Sequence, residues 1–99
     1  MQIIKIDPSE KKDKRFIVTL DDGRKFDFGL KTGQTYIDHH DKVKRENYLK
    51  RHLANKIENK LINDLIPSPA LFSAFLLWGP STNLEENIKH LNNLMSRKK

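Results

Sequence analysis

The chain reads as an α+β domain, an N-terminal three-stranded antiparallel β-meander covered by about three C-terminal α-helices. Two observations predict this. In the first third, Ile4 and Ile6, then Phe16, Val18 and Leu20, then Phe26 and Phe28, alternate with polar or lesser residues at the period of a strand. Beyond Gly29-Leu30-Lys31-Thr32-Gly33 that alternation stops and apolar residues recur at helical spacing. With 99 residues the chain forms one domain, 1–99, comprising a meander at 2–30, a helical part at 36–96 and a basic tail at 97–99.

Each element has a local cause. Residues 8–14 form a charged loop between the first two strands, and Asp21-Asp22-Gly23-Arg24 supplies the second turn. A two-residue Asp22-Gly23 loop would set the phenylalanines opposite Val18. A three-residue loop with Gly23 in the left-handed conformation instead pairs Val18 with Phe26 and Phe16 with Phe28 on one apolar face, and is the loop expected. Asp41, or Asp38 one turn earlier, is a fitting N-cap for a helix over 41–64, along which Leu49, Leu53, Ile57 and Leu61 recur at steps of four. Pro67 and Pro69 end it, because each lacks an amide donor. A second helix, 69–78, is apolar on nearly every side and should be buried or a docking element, with Gly79-Pro80 as its stop. Thr82-Asn83-Leu84-Glu85 fits a capping box for a last helix, 83–96, with Leu84, Ile88, Leu91 and Leu94 or Met95 as its apolar edge.

Composition narrows the class of partner. A chain of this length buries only roughly 60–65% of its extended surface, which leaves a modest core. Without cysteine there is no disulfide, thiolate nucleophile or Cys-based zinc site, and a reducing compartment is favoured. The formal charge of +6 favours an acidic partner: nucleic acid, an anionic surface or a negatively charged protein. No secretory signal pattern opens the chain, and no apolar run approaches the ~20 residues that span a bilayer.

The richest segment is 36–52, which holds three of the four histidines and both tyrosines. On a helix, Asp41, Arg45, Tyr48 and His52 fall on one polar stripe. Asp38, His39, His40, Asp41 and His52 are metal-ligating types, yet no His-x-x-x-His pair occurs and adjacent histidines diverge, so no metal site and no cofactor are expected. The Asp-His step resembles one half of a ββα-metal nuclease, but the hairpin precedes it rather than following it. The serines lack a histidine at suggestive spacing, paired acids sit in a turn and a helix start, and no glycine loop cradles phosphate, so no enzyme is expected. Lys42, Lys44, Lys50 and Arg51, with Lys11, Lys12, Lys14 and Arg15 in the loop, could neutralise phosphates, and Tyr36, His39 or Tyr48 could stack on bases. The competing reading makes Tyr36, His39, Asp41, Arg45, Tyr48, Arg51 and His52 a hydrogen-bonded network locking the helix in place, with Phe72, Phe75 and Trp78 as an apolar docking surface.

The same residues resemble a family of short proteins encoded by large double-stranded DNA viruses and some tailed phages. Its pattern is a tyrosine, His-x-Asp, an arginine and Tyr-x-x-Arg-His, then an apolar helix ending Leu-Trp and a helix begun after proline. Here these look like Tyr36, His39 and Asp41, Arg45, Tyr48, Arg51 and His52, then Leu77-Trp78, Pro80 and 84–88. The chain departs from the pattern in lacking a proline after Asp41 and in carrying 53–65 in place of an acidic-tryptophan stretch. The resemblance implies a viral origin, localisation to the virion and, during infection, the host cytoplasm, and no catalytic activity. The expected role is a minor capsid or cement-like protein bridging other viral structural proteins, with genome binding as the alternative. Self-association also fits, since short proteins with one apolar helix often dimerise.

Overall fold

The computed structural model of the chain describes residues 2–97. Three strands, β1 (Ile3–Pro8), β2 (Lys14–Leu20) and β3 (Lys25–Leu30), form an antiparallel sheet in the order β1-β2-β3. Helices α1 (Tyr36–His39), α2 (Lys42–Leu53), α3 (Lys56–Asn63), α4 (Pro69–Phe72) and α5 (Leu84–Arg97) follow, with a π-helical turn at Ser73–Leu77 continuing α4. The α+β architecture expected from the sequence is the one observed. Of the basic tail, Arg97 closes α5, and Lys98 and Lys99 lie outside the described residues.

The hairpin follows its hydrophobic register. Val18 pairs with Phe26 and Phe16 with Phe28, and Leu20 closes a three-residue loop by donating to the Arg24 carbonyl at 2.9 Å. Gly23 takes φ +89°, a conformation that a side chain resists. Asp22 fastens the loop by accepting from the Arg24 amide.

In β1 the inward residues are Ile3 and Ile6, not Ile4 and Ile6. The register passes from Ile3↔Leu20 to Lys5↔Thr19, so Ile4 is the extra residue of a bulge, 64% exposed. The bulge lets two residues at odd spacing share one face. Asn92 of α5 then caps the sheet edge, accepting from the Ile3 amide at 2.8 Å and donating to the Ile3 carbonyl at 3.1 Å. A side-chain amide thus stands where another strand would pair.

The core lies between the sheet and the α4–π segment, with α5 closing the far side. Val18, Leu20 and Phe28 meet Leu71, Phe72, Leu76 and Leu91, all fully buried. Phe72 lies between Phe26 and Phe28 at centroid distances of 5.5 and 5.9 Å. The apolar segment is therefore central, as its composition implies, but it is not one α-helix over 69–78. Ser68 caps α4 by accepting from the Leu71 amide, and the Trp78 amide then donates back five residues to the Ser73 carbonyl at 3.1 Å. The wider turn rotates Trp78 out of the row that an unbroken helix would share with Leu71 and Ala74.

A continuous helix over 41–64 does not form. It breaks at Ala54-Asn55, where Asn55 is extended and its side chain accepts from the Ile57 and Glu58 amides at 3.0 and 3.1 Å. Asparagine competes with the helical backbone and is better placed at an N-cap than in an interior. The Leu49–Leu53–Ile57–Leu61 row is cut by this elbow, leaving Ile57 74% exposed and placing Ile62 inward. Helix α3 ends in a Schellman motif, with Ile66 and Leu65 amides bonded to Leu61 and Ile62 carbonyls and Leu65 at φ +53°. The cap of α5 is Asn83, one residue beyond the expected Thr82, since its side chain accepts from the Glu86 amide.

Candidate functional site

The polar stripe of α2 faces the end of the π turn. Asp41 caps α2, accepting from the Val43 and Lys44 amides. One turn on, the Arg45 Nε–H is shared between the Trp78 and Gly79 carbonyls at 3.0 and 2.9 Å. These carbonyls end the α4–π segment, where a cation is favoured by the helix dipole. The Arg45 guanidinium also lies 5.6 Å from the Tyr36 ring centroid. Tyr48 stacks on Trp78 at 4.3 Å and 5°, and His52 packs on Tyr48 at 4.1 Å. Two rings at such distances cannot share one face, so both faces of Tyr48 are covered. His39 adds a further ring 5.3 Å from Trp78.

Two of the histidines, His39 and His52, are engaged within the fold. The His39 Nδ1 accepts from the Asp41 amide at 3.0 Å, which leaves the ring proton on Nε2, a buried atom without a hydrogen-bond partner among the described residues. His52 pairs through Nδ1 with Glu58, which the elbow at Asn55 brings back toward α2. Burial and the Glu58 carboxylate push the Tyr48 phenol up to about 12, against a smaller opposite effect of Arg51. His40 only closes α1, in the left-handed conformation at φ +57°.

A second lock joins α1 to the sheet. Thr35-x-x-Asp38 is a capping box, with the Thr35 amide and hydroxyl both bonded to the Asp38 carboxylate. Arg15 of β2 grips the same carboxylate with both terminal nitrogens, at 2.6 and 2.7 Å. These bonds hold the Asp38 carboxyl well below the usual carboxylate range and raise Arg15. The Thr-x-x-Asp pattern could have been read from the sequence; the Arg15 partner, twenty-three residues away, could not.

The remaining expected site residues separate. Lys42, Lys44, Lys50 and Arg51 are exposed on α2, which has no buried residue. Lys11 is drawn to Asp27 and Arg15 to Asp38, so the loop patch is partly neutralised. Phe72 is at 0% exposure in the core and is not a docking residue. Phe75 is half-buried beside His90, and Trp78 is covered by Tyr48, so the three do not form one apolar surface.

Asn87 is unmarked in the sequence, and Gly79 is marked there only as the stop of the apolar helix. Asn87 is fully buried on α5, donating to the Leu76 and Ser81 carbonyls and accepting from the Ser81 amide. It fixes the bend after the π turn. A Cβ on Gly79 would lie 2.0 Å from the Phe75 carbonyl oxygen, so only glycine passes there. No pattern of apolar spacing marks either position.

Beside the ring stack lies a half-open cleft of about 440 Å³ between the end of β3, the α2–α3 elbow and α4. Leu30, Pro69, Leu77 and Trp78 supply its apolar lining, and Lys14 and Arg51 its cations. Tyr48, His52 and Glu58 also border it. Among the described residues, no three metal-ligating side chains converge and no helix is long and apolar enough to cross a membrane.

Residues 4–52 match the model of a family of unknown function, DUF5754. The matched span takes in all but the first residue of the sheet, α1, and all but the last residue of α2, and stops short of Trp78. No curated protein and no solved structure matches the chain.

Proposed function

We propose that the chain is a non-enzymatic accessory protein of a large DNA virus, a minor capsid or cement-like virion component that bridges larger partners. One observation carries the non-enzymatic part: the polar groups that could do chemistry are engaged in holding α2. Asp41 caps, Arg45 grips two carbonyls, Tyr48 is sandwiched and His52 is paired with Glu58. These contacts hold α2 in one orientation against the end of the π turn. The viral setting rests on the resemblance carried by the Tyr36 to His52 pattern. Partners are then other structural proteins, reached through the exposed cations of α2. Purified particles should contain the chain in fixed stoichiometry; its absence from them would sink the proposal.

A second reading, binding to the viral genome, is favoured by Lys42, Lys44, Lys50 and Arg51 standing exposed on one helix. Stacking on bases is not part of it, because Tyr36 is buried, both faces of Tyr48 are covered and His39 is half-buried against Trp78. It calls for phosphate contacts alone, hence duplex binding that weakens steeply with salt. A chain that fails to bind duplex DNA at low salt removes this reading.

A further inference from the structure

We infer that the cleft beside Trp78 seats an acidic peptide segment of a partner protein, an aliphatic side chain packing on Leu30 and Pro69 while flanking carboxylates meet Lys14 and Arg51. The inference rests on the bridging role proposed above and names the seat and the chemistry of what it holds. The volume, about 440 Å³, lies within the range of small-ligand pockets, which ordinarily combine an apolar lining with a few polar groups. Its lining selects the occupant. The aliphatic walls of Leu30 and Pro69 suit a branched aliphatic side chain.

Charge supplies the second selection. Glu58, the acid that borders the cleft, is hydrogen-bonded to His52, and the two cations outnumber it. Arg51 is exposed and makes no ion pair among the described residues, and Lys14 likewise makes none. Two such cations beside an apolar lining complement a segment in which acids flank an aliphatic residue. The net charge of +6 steers such a segment toward the protein.

Trp78 is the single tryptophan and borders the cleft, so its emission reports occupancy. The folded chain is titrated with an end-blocked Asp-Leu-Glu peptide, and with Asp-Ser-Glu and Lys-Leu-Lys peptides as comparisons. Asp-Leu-Glu should change the emission saturably, and Arg51→Glu should weaken it by roughly tenfold or more through like-charge repulsion. Lys14→Glu provides an independent second variant, and far-UV circular dichroism confirms that both fold. No response to Asp-Leu-Glu, or an equal response to Asp-Ser-Glu or to Lys-Leu-Lys, overturns the inference. So does an oligonucleotide that displaces the peptide, which would assign the cleft to nucleic acid. The bridging role is judged separately: Arg51→Glu chain incorporated into particles at the wild-type ratio moves the seat elsewhere and leaves that role standing.

Discussion

Tyr48 lies flat against Trp78, ring centroids 4.3 Å apart and planes 5° from parallel, and this contact fastens a helix that has no buried residue of its own. Such a stack needs α2 and the π turn to be held in one orientation. Arg45 does this from one turn away, bonding the backbone on which Trp78 sits. The phenol is consequently hard to ionise. Its value, raised from 10.0 to about 12, should appear as one of the two tyrosines titrating late in absorbance measurements of tyrosinate. Because the folded value is raised, the contribution is complete below 10.0 and is lost as pH climbs toward 12. Trp78→Ala, by opening the ring to water, should return the late titration toward its ordinary value. If that tyrosine still titrates late in the variant, burial by Trp78 is not the cause.

Arg45→Ala should loosen α2 before it unfolds the domain. The lost charge-assisted hydrogen bond is worth about 1.5–3 kcal/mol, with two carbonyls left unpaired. Amide exchange in α2 should accelerate while that of the sheet is unchanged. Uniform acceleration throughout the chain would contradict a local lock.

Acid should act first at the junction of α1 and β2. Asp38 is held below 3.8 mainly by Arg15, so its contribution is present above that value and is lost as pH falls through and below it. Asp38→Asn removes the charge, and its stability against urea should vary less with pH in that acid window than wild type. Parallel curves for the two proteins would show that the pair contributes nothing there.

Leu65 reverses a common order. It holds φ +53°, which costs a non-glycine residue about 1 kcal/mol, yet its side chain packs on the core. Leu65→Ala keeps the backbone cost and loses the packing, whereas Leu65→Gly loses the packing alone. Chemical denaturation should therefore rank glycine above alanine at this position, opposite to the order within a helix.

Legibility in the sequence falls with the range of the interaction. The hairpin register was legible because only one loop length puts Val18, Phe16, Phe26 and Phe28 on one face. The Asp41 cap and the stripe of Arg45, Tyr48 and His52 were legible because both lie within one helix. The break at Asn55 was harder: an asparagine is tolerated in a helix interior, and the apolar steps of four continue past it. The bulge at Ile4 was equally silent, since it depends on which of two adjacent isoleucines the partner strand accepts.

By itself, then, the sequence determined the α+β class, the strands followed by helices, and the helix face that would carry polar groups, because these follow from periods of two and of three to four along the chain. Only the tertiary structure decided what that face meets. The π turn aims Trp78 at Tyr48 and two carbonyls at Arg45, Arg15 reaches Asp38 across the sheet, and Asn87 holds the bend at Gly79. All but the last join residues far apart in the chain, and all of them depend on how packed elements are oriented, which no local period encodes.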